Sequence, residues 1–109
     1  MFALSAEVEQ RALAAVETLA RLAPVRAAYV FGSQVEGRAD KWSDIDVAAF
    51  LEGIEDWDIR QHAHAMTRVM KEAGTNVEAH LFPASDFENP PRASFAQYIL
   101  KHGVRILAK

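Results

Sequence analysis

Asp44 and Asp46 stand one residue apart at the start of an apolar run. Side chains alternate along a strand, so both carboxylates share one face while Ile45 and Val47 take the other. Two close carboxylates repel unless positive charge lies between them. Mg²⁺ meets that need, being hard, oxygen-seeking and commonly held by one or two carboxylates together with substrate phosphates. Upstream, Gly32-Ser33 forms a turn at the end of another apolar run. Glycine lets a ligand approach the backbone closely, and the first N–H groups of a helix opened by Ser33 point at an anion. Phosphates on the turn and metal on the aspartates amount to a phosphoryl- or nucleotidyl-transfer site.

Glu78 is a third acid. It completes a metal-binding carboxylate cluster if its strand pairs beside the one carrying Asp46. His80 follows on the same face, where it either orients the acid or the attacking group, or simply meets solvent. His62 and His64 cannot share a helix face, which argues against a zinc site, and His102 suits a helix C-terminus.

The elements that must position these groups are legible from periodicity. Val8, Ala12, Val16, Leu19 and Ala23 predict a helix over residues 5–23, stopped by Pro24. A first strand spans 25–31, a short helical turn 34–38 and a near-continuously apolar strand 45–51, buried on both sides. Trp42, beside the acidic pair, is expected to cap the core edge rather than stack on a base. Gly53 marks a turn. A helix over 58–73 carries Ile59, Ala63, Met66, Met70 and Ala73 on its expected core stripe, with the methionines as core filling. Residues 77–82 alternate as a third strand ended by Pro83, 85–88 form one turn, 95–101 the last helix and 104–107 a short edge strand. Helix, strand, active turn, strand, helix, strand, helix, strand describes a small α/β domain with a mixed sheet packed against helices.

The 109 residues are half apolar and one quarter charged, which suits one globular domain over residues 1–109. The chain lacks cysteine, so disulfides and thiolate zinc sites are excluded. No apolar stretch reaches membrane-spanning length, and a cytoplasmic location is the default expectation. A formal charge of −3 offers no broad basic face for long nucleic acid, but permits a nucleotide carried with Mg²⁺.

Gly32-Ser33, ten intervening residues and then Asp44-x-Asp46 resemble the signature of the DNA polymerase β-like nucleotidyltransferase superfamily. At this length the chain looks most like the minimal nucleotidyltransferases that act as antitoxins beside a small helical HEPN protein. The resemblance implies two Mg²⁺ ions on Asp44, Asp46 and Glu78, although the family commonly has aspartate where Glu78 stands. It implies ATP as donor, with its phosphates on Gly32 and Ser33, and AMP transfer to a tyrosine hydroxyl of the HEPN toxin. Gly37 matches a common glycine of the segment. Gln34 and Glu36 depart from it, because family members often carry arginines there: Gln34 can hydrogen-bond a phosphate without neutralising it, and Glu36 repels it. Arg38 or Lys41 would then substitute. Two other readings stand beside this one. One is a weakly catalytic module that silences its partner by contact, and the other a small-molecule transferase resembling aminoglycoside nucleotidyltransferases. With so little chain, a second copy or another protein is expected to supply part of the acceptor surface.

Overall fold

The computed structural model describes residues 4–40 and 42–108. The first helix, α1 (Ala6–Ala20), starts where the Ser5 hydroxyl accepts the Val8 N–H at 3.2 Å, and Glu7 and Glu9 lie in its favourable first turn. It ends three residues before the expected point. Pro24 disfavours helical backbone at Ala23, so Leu22 and Ala23 finish in a turn whose N–H groups both reach the Leu19 carbonyl.

Four strands follow: β1 (Val25–Phe31), β2 (Ile45–Leu51), β3 (Val77–Pro83) and β4 (Val104–Ala108), in the sheet order β3-β2-β1-β4. The hairpin-like pair β1–β2 and the pair β1–β4 are antiparallel, whereas β2–β3 is parallel. A parallel pair needs a crossover, and α3 (Ile59–Ala73) is that crossover. The central strands read as unbroken apolar runs because both of their faces are covered.

One face carries the larger core. Ala12, Ala15, Val16 and Leu19 of α1 and Ala65, Val69 and Ala73 of α3 pack there on Val30, Val47, Ala49 and Val77. The other face is covered by α4 (Ser85–Glu88) and α5 (Phe95–His102), whose Ala96 and Ile99 join Tyr29, Phe31 and Phe50 in a second core. Phe50 is fully buried and stacks on Phe82 at 5.2 Å. Burying such a ring contributes about 1.5–3 kcal/mol.

The predicted stripe of α3 is corrected. Ala73 is buried as expected, but Ile59 is 84% exposed, Ala63, Met66 and Met70 are also exposed, and Ala65 and Val69 face the core in their place. Small side chains let the helix approach the sheet and α1 closely, and the long methionines are turned outward over β3. The start of α3 is held by a reciprocal cap: Asp58 accepts the Gln61 N–H and Gln61 accepts the Asp58 N–H, each at 2.9 Å. In α5, Ala96 and Ile99 are buried, while Phe95 and Tyr98 are about half exposed.

Candidate functional site

The candidate site lies on the second face, where β1 ends and β2 and β3 begin. In the parallel register Asp46 lies opposite Glu78, and Ala48 opposite His80. The strand pairing that would make Glu78 a neighbour of the aspartate is therefore present. One ligand atom from each of Asp46, Glu78 and His80 lies within 4.8 Å of the others. His80 Nε2 is 3.1 Å from Asp46 Oδ1 and 3.8 Å from Glu78 Oε1. Two carboxylates and an imidazole at this separation fit the ligand chemistry of a divalent cation.

His80, which the alternation alone left equally suited to facing solvent, belongs to this cluster. Its ring packs edge-on against Phe31 at 4.9 Å and Phe95 at 5.9 Å. Phe31 and His80 come from strands on either side of β2 and meet above it. Ala48, the residue between them on that face, is small enough to leave the space. The available signal was the shared parity of Glu78 and His80; the register that sets them beside Asp46 is a property of the sheet.

Asp44 stands outside this three-residue cluster. It is exposed at the foot of β2 and lines, with Glu78, Met66 and Met70, a groove of about 300 Å³ between α3 and β3. The loop before it is built on Asp40, whose carboxylate accepts the Trp42 N–H at 2.9 Å and whose carbonyl accepts the Ser43 N–H at 3.1 Å. Trp42 itself is 80% exposed, so the expected capping of the core edge is not what it does. Asn76 ties the foot of the sheet together: its carbonyl accepts the Ile45 N–H at 2.8 Å, and its side chain accepts from Arg11 at 2.8 Å and donates to the Ser43 carbonyl at 3.4 Å.

Gly32 closes β1 with φ +81°, and an added Cβ would lie 2.9 Å from Asp46 Oδ2. Glycine is required twice over, by the left-handed backbone and by the carboxylate resting against it. The four-residue helix α2 (Ser33–Glu36) follows, with the Gly32 carbonyl accepting the Val35 and Glu36 N–H groups at 3.0 Å. Gln34 lies between turn and strand, its Nε2 donating to the Asp44 carbonyl at 3.3 Å. Glu36 is turned away toward α5: it accepts the Tyr98 hydroxyl at 3.2 Å and pairs with Arg38. Arg38 beside it holds the Glu36 carboxyl below the usual carboxylate range, helped by Tyr98, and Glu36 in turn raises the Arg38 guanidinium. Arg38, expected as a substitute phosphate cation, thus has Glu36 as its ion-pair partner, and Gly37 supplies the left-handed cap of α2. Lys41, expected in the same role, lies outside the described residues.

Residues 14–109 match the family described as Polymerase beta, Nucleotidyltransferase. No curated protein matches the chain by sequence. Among solved structures it is similar to a Sulfolobus solfataricus protein provisionally assigned as a nucleotidyltransferase, with a TM-score of 0.54 and 19% identity over 81% of this chain and 84% of that one. It is also similar to a chain of a toxin–antitoxin complex crystallised with AMP-PNP, with a TM-score of 0.61 and 18% identity over 93% of this chain and 73% of that one. At such identities the likeness speaks for the fold, and the family match covers most of the sequence. With an Asp-x-Asp strand beside a glycine-serine turn on a mixed four-stranded sheet, the chain belongs to the polymerase beta nucleotidyltransferase family.

Proposed function

We propose that residues 1–109 form one Mg²⁺-dependent nucleotidyltransferase domain that moves AMP from ATP to a hydroxyl, a tyrosine of a HEPN-type helical toxin, and so acts as a cytoplasmic antitoxin. The observation that carries the reading is the register of β2 on β3, which sets Asp46 opposite Glu78 beside the Gly32–Ser33 turn. The similarity to a chain of a toxin–antitoxin complex crystallised with AMP-PNP supports the choice of donor and partner.

Asp44, Asp46 and Glu78 would hold the divalent ions, which supply charge neutralisation at the attacking and leaving oxygens of an in-line displacement. The Gly32 and Ser33 backbone and the Ser33 hydroxyl orient the triphosphate, with Gln34 bracing the turn against the foot of β2. The acceptor oxygen forms a bond to the α-phosphorus as the bond to the bridging oxygen of the β-phosphate breaks. Pyrophosphate leaves with that electron pair, and the acceptor's proton passes to solvent or a nearby carboxylate. The acceptor surface is completed by the partner protein.

One observation favours a second reading, neutralisation by contact with little catalysis. The turn carries Gln34 and Glu36, and its Arg38 is paired with Glu36. A single experiment separates the two. The chain is incubated with the helical protein that co-purifies with it, Mg²⁺ and ATP, and the intact masses of both proteins are recorded. Catalytic silencing gives a partner heavier by one adenylyl group, and Asp46→Asn lowers its rate of formation by about a thousandfold or more, the several kcal/mol that a metal site supplies. An unmodified partner in a complex that still forms would overturn transfer and leave contact.

A further inference from the structure

We infer that His80 is a direct ligand of the cation at Asp46 and Glu78, and that this centre prefers a first-row transition dication such as Mn²⁺ or Co²⁺ to Mg²⁺. The inference rests on the nucleotidyltransferase reading and adds which dication its site binds more tightly, whichever ion supports transfer. Ligands at adjacent octahedral positions, each about 2.1 Å from an ion, lie about 3.0 Å apart. His80 Nε2 and Asp46 Oδ1 are 3.1 Å apart, and Nε2 and Glu78 Oε1 3.8 Å. Two ligands of one ion lie at most about 4.2 Å apart, so the three atoms, all within 4.8 Å of one another, can share an ion once the side chains rotate inward.

The imidazole is also held in place for this task. Phe31 and Phe95 contact its ring edge-on, and β3 carries it over the small Ala48, so Nε2 is directed at the carboxylates. Packed rings of this kind fix a ligand's orientation before the ion arrives, which lowers the ordering cost of binding it. Imidazole nitrogen suits transition ions, whereas Mg²⁺ favours an all-oxygen shell, so an Asp-Glu-His set discriminates by ligand type. Nε2 has one lone pair. Either it donates a proton to Asp46, or it binds the ion with the proton on Nδ1. The two arrangements are chemically distinct and can be told apart.

The test loads the 109-residue chain with Mn²⁺ and looks for nitrogen coupling by pulsed electron paramagnetic resonance, alongside calorimetric titration with Mn²⁺ and Mg²⁺. The expected result is imidazole nitrogen coupled to bound Mn²⁺, with Mn²⁺ bound about tenfold or more tightly than Mg²⁺. His80→Ala should abolish the coupling and weaken Mn²⁺ binding. His80→Asp, which restores an all-carboxylate set, should narrow the preference toward Mg²⁺. Circular dichroism melts of both variants check that they fold. Bound Mn²⁺ without nitrogen coupling would overturn the inference, as would equal affinity for the two ions. If such a protein still adenylylates its partner, the functional reading stands without His80 as ligand. If neither ion binds and no transfer occurs, both fail together.

Discussion

At the scale of single residues, the site depends on one backbone position as much as on its acids. Gly32 takes a left-handed conformation with the Asp46 carboxylate resting where a side chain would begin. Alanine there brings a steric cost of about 1–3 kcal/mol from the backbone and displaces the carboxylate. Gly32→Ala should therefore lower stability by that amount in urea unfolding and weaken divalent-ion binding in calorimetry. A variant with parental values in both would show that the carboxylate has room to spare. Glu36 is the second residue whose role depends on its surroundings. By type it is an unwelcome charge on a phosphate turn, yet its carboxylate faces Arg38 and Tyr98 and links α2 to α5.

At the scale of elements, the foot of β2 is positioned by a neighbour rather than by its own loop. Asn76, the residue before β3, bonds α1 through Arg11, the loop through Ser43 and β2 through Ile45. Asn76→Ala keeps the backbone bond and removes the two side-chain bonds, one of them to a guanidinium. It should destabilise the chain by about 1–3 kcal/mol and weaken metal binding at Asp46 through a loosened β2. Urea midpoints and the same calorimetric titration check this; a stability loss with unaltered metal affinity would place Asn76 in the scaffold alone. Element types followed from periodicity and punctuation: Pro24 and Pro83, the Ser5 and Asp58 caps and the alternation of β3 all sit where local rules put them. The face of α3 did not follow. The expected stripe holds only at Ala73; close packing on α1 and the sheet placed Ala65 and Val69 beside it in place of Ile59, Ala63, Met66 and Met70.

At the scale of the whole molecule, α1 and α3 are joined across the larger core by a clamp on Glu72. Its carboxylate accepts from Arg68 at 2.6 and 2.9 Å and from the buried Thr18 hydroxyl at 2.9 Å, and pairs with Arg21. Arg68 first, with Thr18 and Arg21, lowers its pKa to about 2 from an ordinary 4.5. A folded pKa below the unfolded one adds stability that is fully present above pH 4.5 and fades as pH falls toward 2. Glu72→Gln should lower the urea midpoint at pH 7, with the gap to the parent protein narrowing progressively below pH 4.5. A gap unchanged down to pH 3 would mean that the carboxylate's charge is not what the clamp uses. No described helix is long and apolar enough to cross a membrane.

The sequence by itself determined the strand and helix inventory, the mixed α/β class, and the placing of Asp44 and Asp46 at the start of a strand that follows a glycine-serine turn. These follow from patterns a few residues long, which local sterics and side-chain alternation control. Only the tertiary structure decided which acids meet. Register between β2 and β3 is a long-range choice made by burying Val47 against Ala79 and the apolar rows beside them, and a slip of one residue would turn Glu78 to the opposite face. The same packing set His80 above Ala48 and left Asp44 at the groove mouth, outside the three-residue cluster. No single segment encodes those positions, because each depends on what its neighbour across the sheet leaves open.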